Sequence, residues 1–288
     1  MRRLIVNADD FGYTRGVNSG IIRGFRDGII TSATIMANGA AFEDAIEYAK
    51  KNPTLGVGCH LVLVGGTCVE AADAIPTLAD HDGRLPRSLA VLTGKLVARA
   101  VRLEDIAREL RAQISKVARA GIKPTHLDSH KHTHLHPRIM EQVIRVGEEF
   151  GIRHIRKPFE DPAALVRFAF QDGWGSWRRT VTMLVAQTAA PQFEKLARDH
   201  GVSMPDCFWG VAATGHLSRD VIMSMIGSMP EGVNELMCHP GEYDDELGRS
   251  KTRLKKARRD ELEVLVDPLI RSAIQQRGIE LMDYRGLD

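Results

Sequence analysis

The sequence predicts a single α/β domain whose parallel sheet closes into a TIM-like (β/α) barrel. Two observations indicate this class. Short apolar runs alternate with amphipathic helical patterns along almost the whole chain of 288 residues, as in a parallel sheet covered by helices. Polar residues repeatedly follow the apolar runs at their carboxyl ends. In barrel enzymes the carboxyl ends of the strands form the rim on which the active site is assembled. About seven or eight such units favour closure over an open sheet, so we expect a seven-stranded or otherwise irregular barrel.

The predicted elements follow one another in a regular order. Apolar runs predict a strand that opens at Thr125, and others near residues 4–7, 31–36, 55–64, 154–160, 202–208, 233–237 and 279–282. Helical periodicity predicts helices near residues 14–26, 40–51, 103–120, 137–150, 218–228 and 260–277. No linker divides the chain, so we expect one domain over residues 1–288, with a helical insert at about 161–200.

Composition argues against several classes of protein. A formal net charge of +2 is too small to indicate a nucleic-acid partner. The sequence has no run of ~18 apolar residues, which is the length that a transmembrane helix requires, and the N-terminus does not resemble a secretory signal. The four cysteines are scattered without a CxxC pair, which is typical of reduced thiols in a cytoplasmic protein. The Lys- and Arg-rich run from Arg249 to Arg259 is expected to be a solvated helix face or loop.

The segment from Thr125 to Pro137 contains five of the eleven histidines. All five, together with Asp128, fall on even positions, so whatever part of the segment is extended places them on one face. Pro137 disfavours a helix before it, so we expect a strand, then a loop, then a helix that begins at Pro137. Imidazoles and a carboxylate that converge on one point predict a divalent-metal site.

Three residues from three different strands are the predicted metal ligands: Asp10, His60 and His130. One carboxylate and two imidazoles leave an open position for water, as a catalytic metal requires. The adjacent carboxylate of Asp9 is available as the base that takes a proton from that water. Side chains of consecutive strand residues diverge, so the turn that follows must re-aim one of the two carboxylates.

The remaining polar residues at the same rim complete the predicted site. His239 is placed to act as the acid that protonates the leaving group. Four further residues are expected to bind the substrate: Asp128, His132, Arg156 and Glu160. Metal, base and acid together are the equipment for hydrolysing an amide or an ester.

Each of these signals also has a purely structural interpretation. A pair of aspartates at a turn is often a solvated cap, and a histidine in an apolar strand is often a satisfied core residue. His239 precedes Pro240 and Gly241, so it is equally compatible with a turn. The conjunction of the separate motifs at one rim favours the metal-site interpretation.

Four motifs resemble those of the YdjC/ChbG-like carbohydrate deacetylases, in the same order and at similar spacing. They are Asn7-Ala-Asp-Asp-Phe-Gly12, Gly58-Cys-His-Leu-Val-Leu63, Thr125-His-Leu-Asp-Ser-His-Lys-His-Thr-His134 and Met237-Cys-His-Pro-Gly241. The resemblance implies a TIM-like barrel related to polysaccharide deacetylases, and hydrolysis of the N-acetyl group of an acetylated amino sugar. It also implies the same three metal ligands and the same base. Lys131 stands where the family often has a histidine, which leaves the role of His132 open.

The resemblance does not fix the metal. One carboxylate with two imidazoles suits zinc, whereas the family is commonly described with magnesium. Cobalt, nickel and manganese are further alternatives.

A closer resemblance is to the hopanoid-biosynthesis-associated (HpnK-like) branch of the same family. It is based on His60-Leu-Val-Leu-Val64, His132-Thr-His-Leu-His-Pro137 and Arg156-Lys-Pro-Phe-Glu160. That branch implies an N-acetylglucosaminyl hopanoid, a lipid with a sugar head group, as the substrate. Four residues of the insert are typical of a peripheral contact with the inner membrane face: Trp174, Trp177, Arg178 and Arg179. A homodimer contact or a lid is an equally good interpretation of the insert.

Other functions also remain open. The substrate of a deacetylase with this site could instead be a soluble chitooligosaccharide. A non-catalytic carbohydrate-binding barrel would use the same residues without turnover. Metal-dependent phosphoester hydrolysis is disfavoured, because the two-metal sites for that chemistry usually need more carboxylates.

Overall fold

Seven strands form one sheet within the part of the chain that the computed structural model describes, residues 1–162, 165, 181 and 184–287. The strands are β1 (Arg2–Phe11), β2 (Ser32–Ile35), β3 (Gly56–Leu61), β4 (Leu127–Ser129), β5 (Cys207–Trp209), β6 (Gly232–Cys238) and β7 (Glu280–Leu281). Their order is β4-β3-β2-β1-β6-β5, and β7 pairs with the first residues of β1. All these pairs are parallel, so the carboxyl ends of the strands share one edge of the sheet.

Helices connect the strands and cover the sheet. They are α1 (Arg15–Arg26), α2 (Phe42–Lys51), α3 (Leu89–Val97), α4 (Leu103–Arg119), α5 (Pro137–Glu149), α6 (Ala190–Asp199), α7 (Arg219–Ser228), α8 (Asp245–Arg249), α9 (Lys256–Leu265) and α10 (Pro268–Gln276). The side chain of Thr14 accepts a hydrogen bond from the backbone N–H of Val17 and so caps α1. Pro137 opens α5 as predicted, because its fixed φ suits the first helical turn.

The sheet curves toward a ring, and a single segment spans its open side. In residues 154–160, Ile155 forms an isolated parallel bridge with Leu127 of β4, and Glu160 forms another with Phe208 of β5. The parallel α/β architecture that the sequence predicts is therefore confirmed. A complete TIM barrel is not confirmed, because the connection between β4 and β5 consists of isolated bridges and not of a regular strand.

Three predicted elements differ from the structure. The strand predicted over 202–208 begins only at Cys207, and Ser203 forms an isolated bridge with His154. The helix predicted over 260–277 is interrupted between α9 and α10, where Asp267 caps the second helix and Pro268 begins it.

The face alternation of the histidine-rich segment ends with β4 at Ser129. Residues from His130 to Leu135 form a 3₁₀-type turn, and Lys131 and His132 have φ values of 55° and 52°. The predicted order of strand, loop and helix is correct, but the histidines beyond the strand do not share one face. The helix α3 was not predicted from the sequence.

The predicted insert at about 161–200 is described only in part. Its described portion includes a 3₁₀ turn, Gln187–Ala189, and the helix α6. Four residues proposed for a membrane interface lie outside the described residues: Trp174, Trp177, Arg178 and Arg179. Among the residues that are described, no helix combines the length and apolar character needed to cross a membrane.

Candidate active site

Two consecutive carboxylates enter the site at the end of β1. Asp9 continues the strand, whereas Asp10 has a φ of 67°, in the left-handed region that non-glycine residues rarely occupy. The pairing of β1 with β2 shifts in register between Ala8 and Phe11, which marks the same irregularity. The change in side-chain direction that was expected for one of these two carboxylates is thus found at Asp10. Both carboxylates are almost completely buried.

The structure brings Asp10, His60 and His130 together. Oδ1 of Asp10 lies 3.5 Å from Nε2 of His60 and 3.4 Å from Nδ1 of His130. One candidate ligand atom from each residue falls within 4.8 Å of the others. Oδ1 of Asp10 is buried and has no hydrogen-bond partner within the described part of the chain. An unsatisfied carboxylate oxygen beside two imidazole nitrogens is a donor set that fits a divalent cation.

Asp128 and Thr34 hold the ring of His60 through its Nδ1 atom. Its Nδ1 lies 2.7 Å from Oδ1 of Asp128 and 3.2 Å from the hydroxyl of Thr34. Burial lowers the pKa of His60, but the carboxylate of Asp128, with those of Asp9 and Asp10, outweighs burial and raises the pKa to about 9. A carboxylate on one ring nitrogen orients the other nitrogen toward a metal, as in carboxylate–histidine–metal sites. Asp128 therefore positions His60.

Arg156 links Asp9, the predicted general base on β1, to carboxylates on β4 and β6. It is fully buried and donates to both oxygens of Asp9, at 2.8 and 2.7 Å. The same guanidinium lies 2.7 Å from Asp128 and donates to Glu235 at 2.8 Å. Burial alone would raise the pKa of Asp9, but the Arg156 guanidinium holds it well below its usual range. Asp9 is therefore ionised at neutral pH, as a proton acceptor must be.

His239 directly follows β6, the strand that pairs with β1, and its side chain lies near Asp9. Its Nε2 lies 3.9 Å from Oδ2 of Asp9, and its backbone N–H donates to Glu261 at 2.6 Å. Nδ1 of His239 is buried without a hydrogen-bond partner among the residues described. Burial lowers the pKa of His239 to about 4, so the ring is neutral near pH 7. A role as acid therefore requires that His239 first receive a proton.

The four residues expected to bind substrate lie in different environments. Asp128, Arg156 and Glu160 are at most 2% exposed. The carboxylate of Glu160 accepts hydrogen bonds from the backbone N–H groups of Gly210 (3.0 Å) and Ala212 (2.8 Å). In this structure the three side chains are paired with groups of the protein itself, and their contact with a substrate stays a prediction.

His132, the fourth residue, is partly exposed. Its ring lies 5.9 Å from the ring of Phe208 and 6.3 Å from that of His134, both in edge-on geometry. Its Nδ1 is buried and has no hydrogen-bond partner in the described ranges. His132 also has a φ of 52°. A positive φ in a non-glycine residue is often found at functional sites. A substrate contact by His132 stays a prediction.

Sequence analysis missed a second group of residues that supports the site. Arg258 and Glu261 lie on α9, and both are at most 2% exposed. This corrects the expectation that the basic run ending at Arg259 is wholly solvated. Arg258, Glu261, Leu262 and Leu265 follow the i, i+3, i+4, i+7 spacing of a buried helical face, which is the signal that could have identified them.

Residues 3–276 match the YdjC-like protein family. The chain belongs to this family. It is 35% identical over 285 residues to a carbohydrate deacetylase of Geobacillus stearothermophilus, covering 99% of this chain and 97% of the relative. A carbohydrate deacetylase of Brevibacillus brevis is also 35% identical, over 99% of both chains.

A solved structure has a similar fold over nearly the whole chain. It is the crystal structure of an Enterococcus faecalis V583 protein proposed to act in cellobiose-phosphate cleavage, with a TM-score of 0.78 and 26% sequence identity. The similarity covers 99% of this YdjC-like chain and 98% of that one. The resemblance to YdjC-like carbohydrate deacetylases is therefore confirmed at the level of the family.

Proposed function

We propose that this YdjC-like protein is a metal-dependent hydrolase that removes the N-acetyl group from an N-acetylated amino sugar. The observation that supports this most strongly is the convergence of Asp10, His60 and His130 beside the ionised carboxylate of Asp9. The relatives described as carbohydrate deacetylases, which align over nearly the whole chain, support the same class of substrate.

Asp10, His60 and His130 would hold the metal, with Oδ1 of Asp10 as its oxygen ligand. When bound, the metal supplies Lewis acidity at the acetyl carbonyl and at the attacking water. The donor set of one carboxylate and two imidazoles favours zinc, and magnesium, cobalt, nickel and manganese are the alternatives to be compared.

Asp9 and His239 would move the protons. Hydrolysis forms a bond between the water oxygen and the acetyl carbon, and it breaks the bond between that carbon and the sugar nitrogen. Asp9 accepts the proton that the water loses, because Arg156 keeps its carboxylate ionised and fixed by two hydrogen bonds. The proton taken up by Asp9 then passes to the neutral ring of His239, whose Nε2 lies 3.9 Å from Oδ2 of Asp9, and from His239 to the leaving nitrogen. The products are acetate and a free amine, and both residues return to their starting protonation states.

The finer proposal for the substrate is an N-acetylglucosaminyl hopanoid. It is supported by the resemblance of three sequence segments to the hopanoid-associated branch. A soluble chitooligosaccharide would present the same acetylated sugar to the site without the lipid. Acetate release from each compound, measured side by side with the purified, metal-loaded protein, separates these two substrates.

A chelation experiment and the Asp9→Asn variant test the chemistry. We expect chelation to abolish acetate release and the metal to restore it. We expect Asp9→Asn to lower turnover by about 10²- to 10⁴-fold, because the amide cannot accept the proton, while the metal stays bound. Asp199→Asn, at an exposed helix end, is the matched control.

Two results would contradict the proposal. Undiminished turnover in Asp9→Asn would refute the assigned base. Tight binding of acetylated sugar without acetate release under any metal would identify the protein as a non-catalytic carbohydrate-binding barrel.

A further inference from the structure

Arg258 reaches the predicted metal site from α9, a helix that lies far along the chain from the three ligands. Its side chain is 1% exposed. Nη2 donates to Oδ2 of Asp10, and Nε donates to the carbonyl of Leu254 at 3.0 Å. The guanidinium also lies 5.6 Å from the ring centroid of Tyr13. These contacts fix the guanidinium against one oxygen of Asp10.

The two oxygens of Asp10 therefore have different surroundings. Oδ2 accepts from Arg258, whereas Oδ1 faces the ring nitrogens of His60 and His130 and has no hydrogen bond in the described part of the chain. The left-handed backbone at Asp10 is costly for a non-glycine residue, so surrounding contacts must stabilise it. Arg258 provides such a contact at the end of the side chain.

The helix that carries Arg258 is itself fastened to the site. One turn later, Glu261 accepts hydrogen bonds from the backbone N–H groups of His239 (2.6 Å) and Gly215 (3.0 Å). The carbonyl of Arg258 accepts from the N–H of Gly241 at 3.1 Å. Since α9 is hydrogen-bonded to neighbouring segments at Arg258 itself and at Glu261, Arg258 holds Asp10 from a fixed position.

The number of oxygens that a carboxylate offers affects which cation it binds. Calcium sites often use both oxygens of a carboxylate within a shell of six to eight ligands. Zinc sites use about four ligands, and catalytic zinc sites have three protein ligands with the fourth position open for water. A guanidinium on Oδ2 leaves Asp10 with one oxygen for an ion, which favours the second kind of site.

We propose that Arg258 is a positioning residue that fixes Asp10 as a one-oxygen ligand, with Oδ1 turned toward His60 and His130, and thereby sets the metal affinity of the site. This inference depends on the proposed function, because it assumes that the three residues bind a divalent cation. Partners that orient metal ligands in this way typically contribute about 10- to 100-fold in metal affinity.

The test compares the dissociation constants of Zn²⁺ in three variants and the wild type, without substrate, by competition with a chromogenic chelator. Arg258→Met removes the charge and the hydrogen bonds at similar length, and we expect it to weaken Zn²⁺ binding by about 10- to 100-fold. Arg258→Lys keeps the charge but loses the planar fork, so we expect an intermediate dissociation constant. Arg259→Met changes an exposed neighbour on the same helix and should leave the constant unchanged.

The outcomes separate this inference from the proposed function. A wild type that binds Zn²⁺, together with a folded Arg258→Met variant that binds it as tightly or more tightly, overturns the role of Arg258 alone. If Arg258→Met does not fold, Arg258→Lys decides: a constant equal to that of the wild type overturns the proposal, and a weaker one supports it. A wild type that binds no divalent cation overturns both the proposed function and this inference.

Discussion

Replacing Arg156 by methionine should destabilise the protein more than a single lost hydrogen bond would. The guanidinium is fully buried and contacts the carboxylates of Asp9, Asp128 and Glu235 at 2.7 to 2.8 Å. Methionine fills a similar volume but leaves these three carboxylates without their shared cation. Removing one partner of a single buried ion pair costs about 3–5 kcal/mol, because the other charge stays buried and uncompensated. With three such partners, we expect a loss at the upper end of this range or beyond.

That loss is a large fraction of the stability of a typical domain, which is about 5–15 kcal/mol. Urea unfolding followed by circular dichroism measures it as a change in the midpoint. Arg145→Met is the control, since Arg145 pairs with Glu141 on an exposed face of α5 and such a pair contributes about 0.3–0.5 kcal/mol. A loss below about 1 kcal/mol for Arg156→Met would refute the idea that this guanidinium holds the network together.

Three further predictions concern the buried surroundings of the site. Tyr284→Phe removes the hydroxyl that donates to Glu235 at 2.6 Å, and the free energy of unfolding should fall by about 1–3 kcal/mol in urea titrations. Gly58→Ala places a Cβ 2.5 Å from the ring of His126, so overpacking should cost about 1–3 kcal/mol in the same assay. Burial, with a smaller contribution from a neighbouring carboxylate, raises the pKa of the Cys59 thiol, so iodoacetamide at pH 8 should modify this residue only after unfolding, as mass spectrometry of the labelled peptide would show.

Each of these predictions has a matched control in the chain. Tyr243→Phe changes an exposed tyrosine and should be nearly neutral. Gly94→Ala lies in α3 with no atom within 4 Å of the added Cβ, so it should be neutral or stabilising. Cys207 is partly exposed and should be modified faster than Cys59 in the folded protein. Equal behaviour of a test residue and its control would contradict the corresponding prediction.

The parts of the site that local pattern could predict are those that lie at the ends of strands. In a parallel sheet the carboxyl ends meet at one edge, so residues as distant as Asp10, His60 and His130 could be placed together without knowledge of their contacts. The expected divergence of Asp9 and Asp10 followed from strand geometry, and the left-handed backbone at Asp10 resolves it. Their roles as base and metal ligands remain predictions until they are measured.

The parts that could not be predicted depend on long-range pairing. Arg156 was expected at the rim because it lies in the short predicted strand 154–160, which ends in charged residues. The sequence does not show that three carboxylates from β1, β4 and β6 surround its guanidinium. Arg258 was hidden in a run of basic residues, most of which do face solvent. A charged side chain in a basic run is buried only when a carboxylate from elsewhere in the fold pairs with it, and Asp10 is 248 positions away in the chain.

The most direct test of the site is the binding of Zn²⁺ to the wild type and to Asp10→Ala, measured by equilibrium dialysis together with acetate release from an N-acetylated glucosamine substrate. We expect about one ion per wild-type chain and acetate release only when the ion is bound, because three ligands converge on one point. We expect Asp10→Ala to lose both, because it lacks the unsatisfied oxygen. Zinc bound equally by the variant, or acetate released by the metal-free wild type, would contradict the assignment of this site.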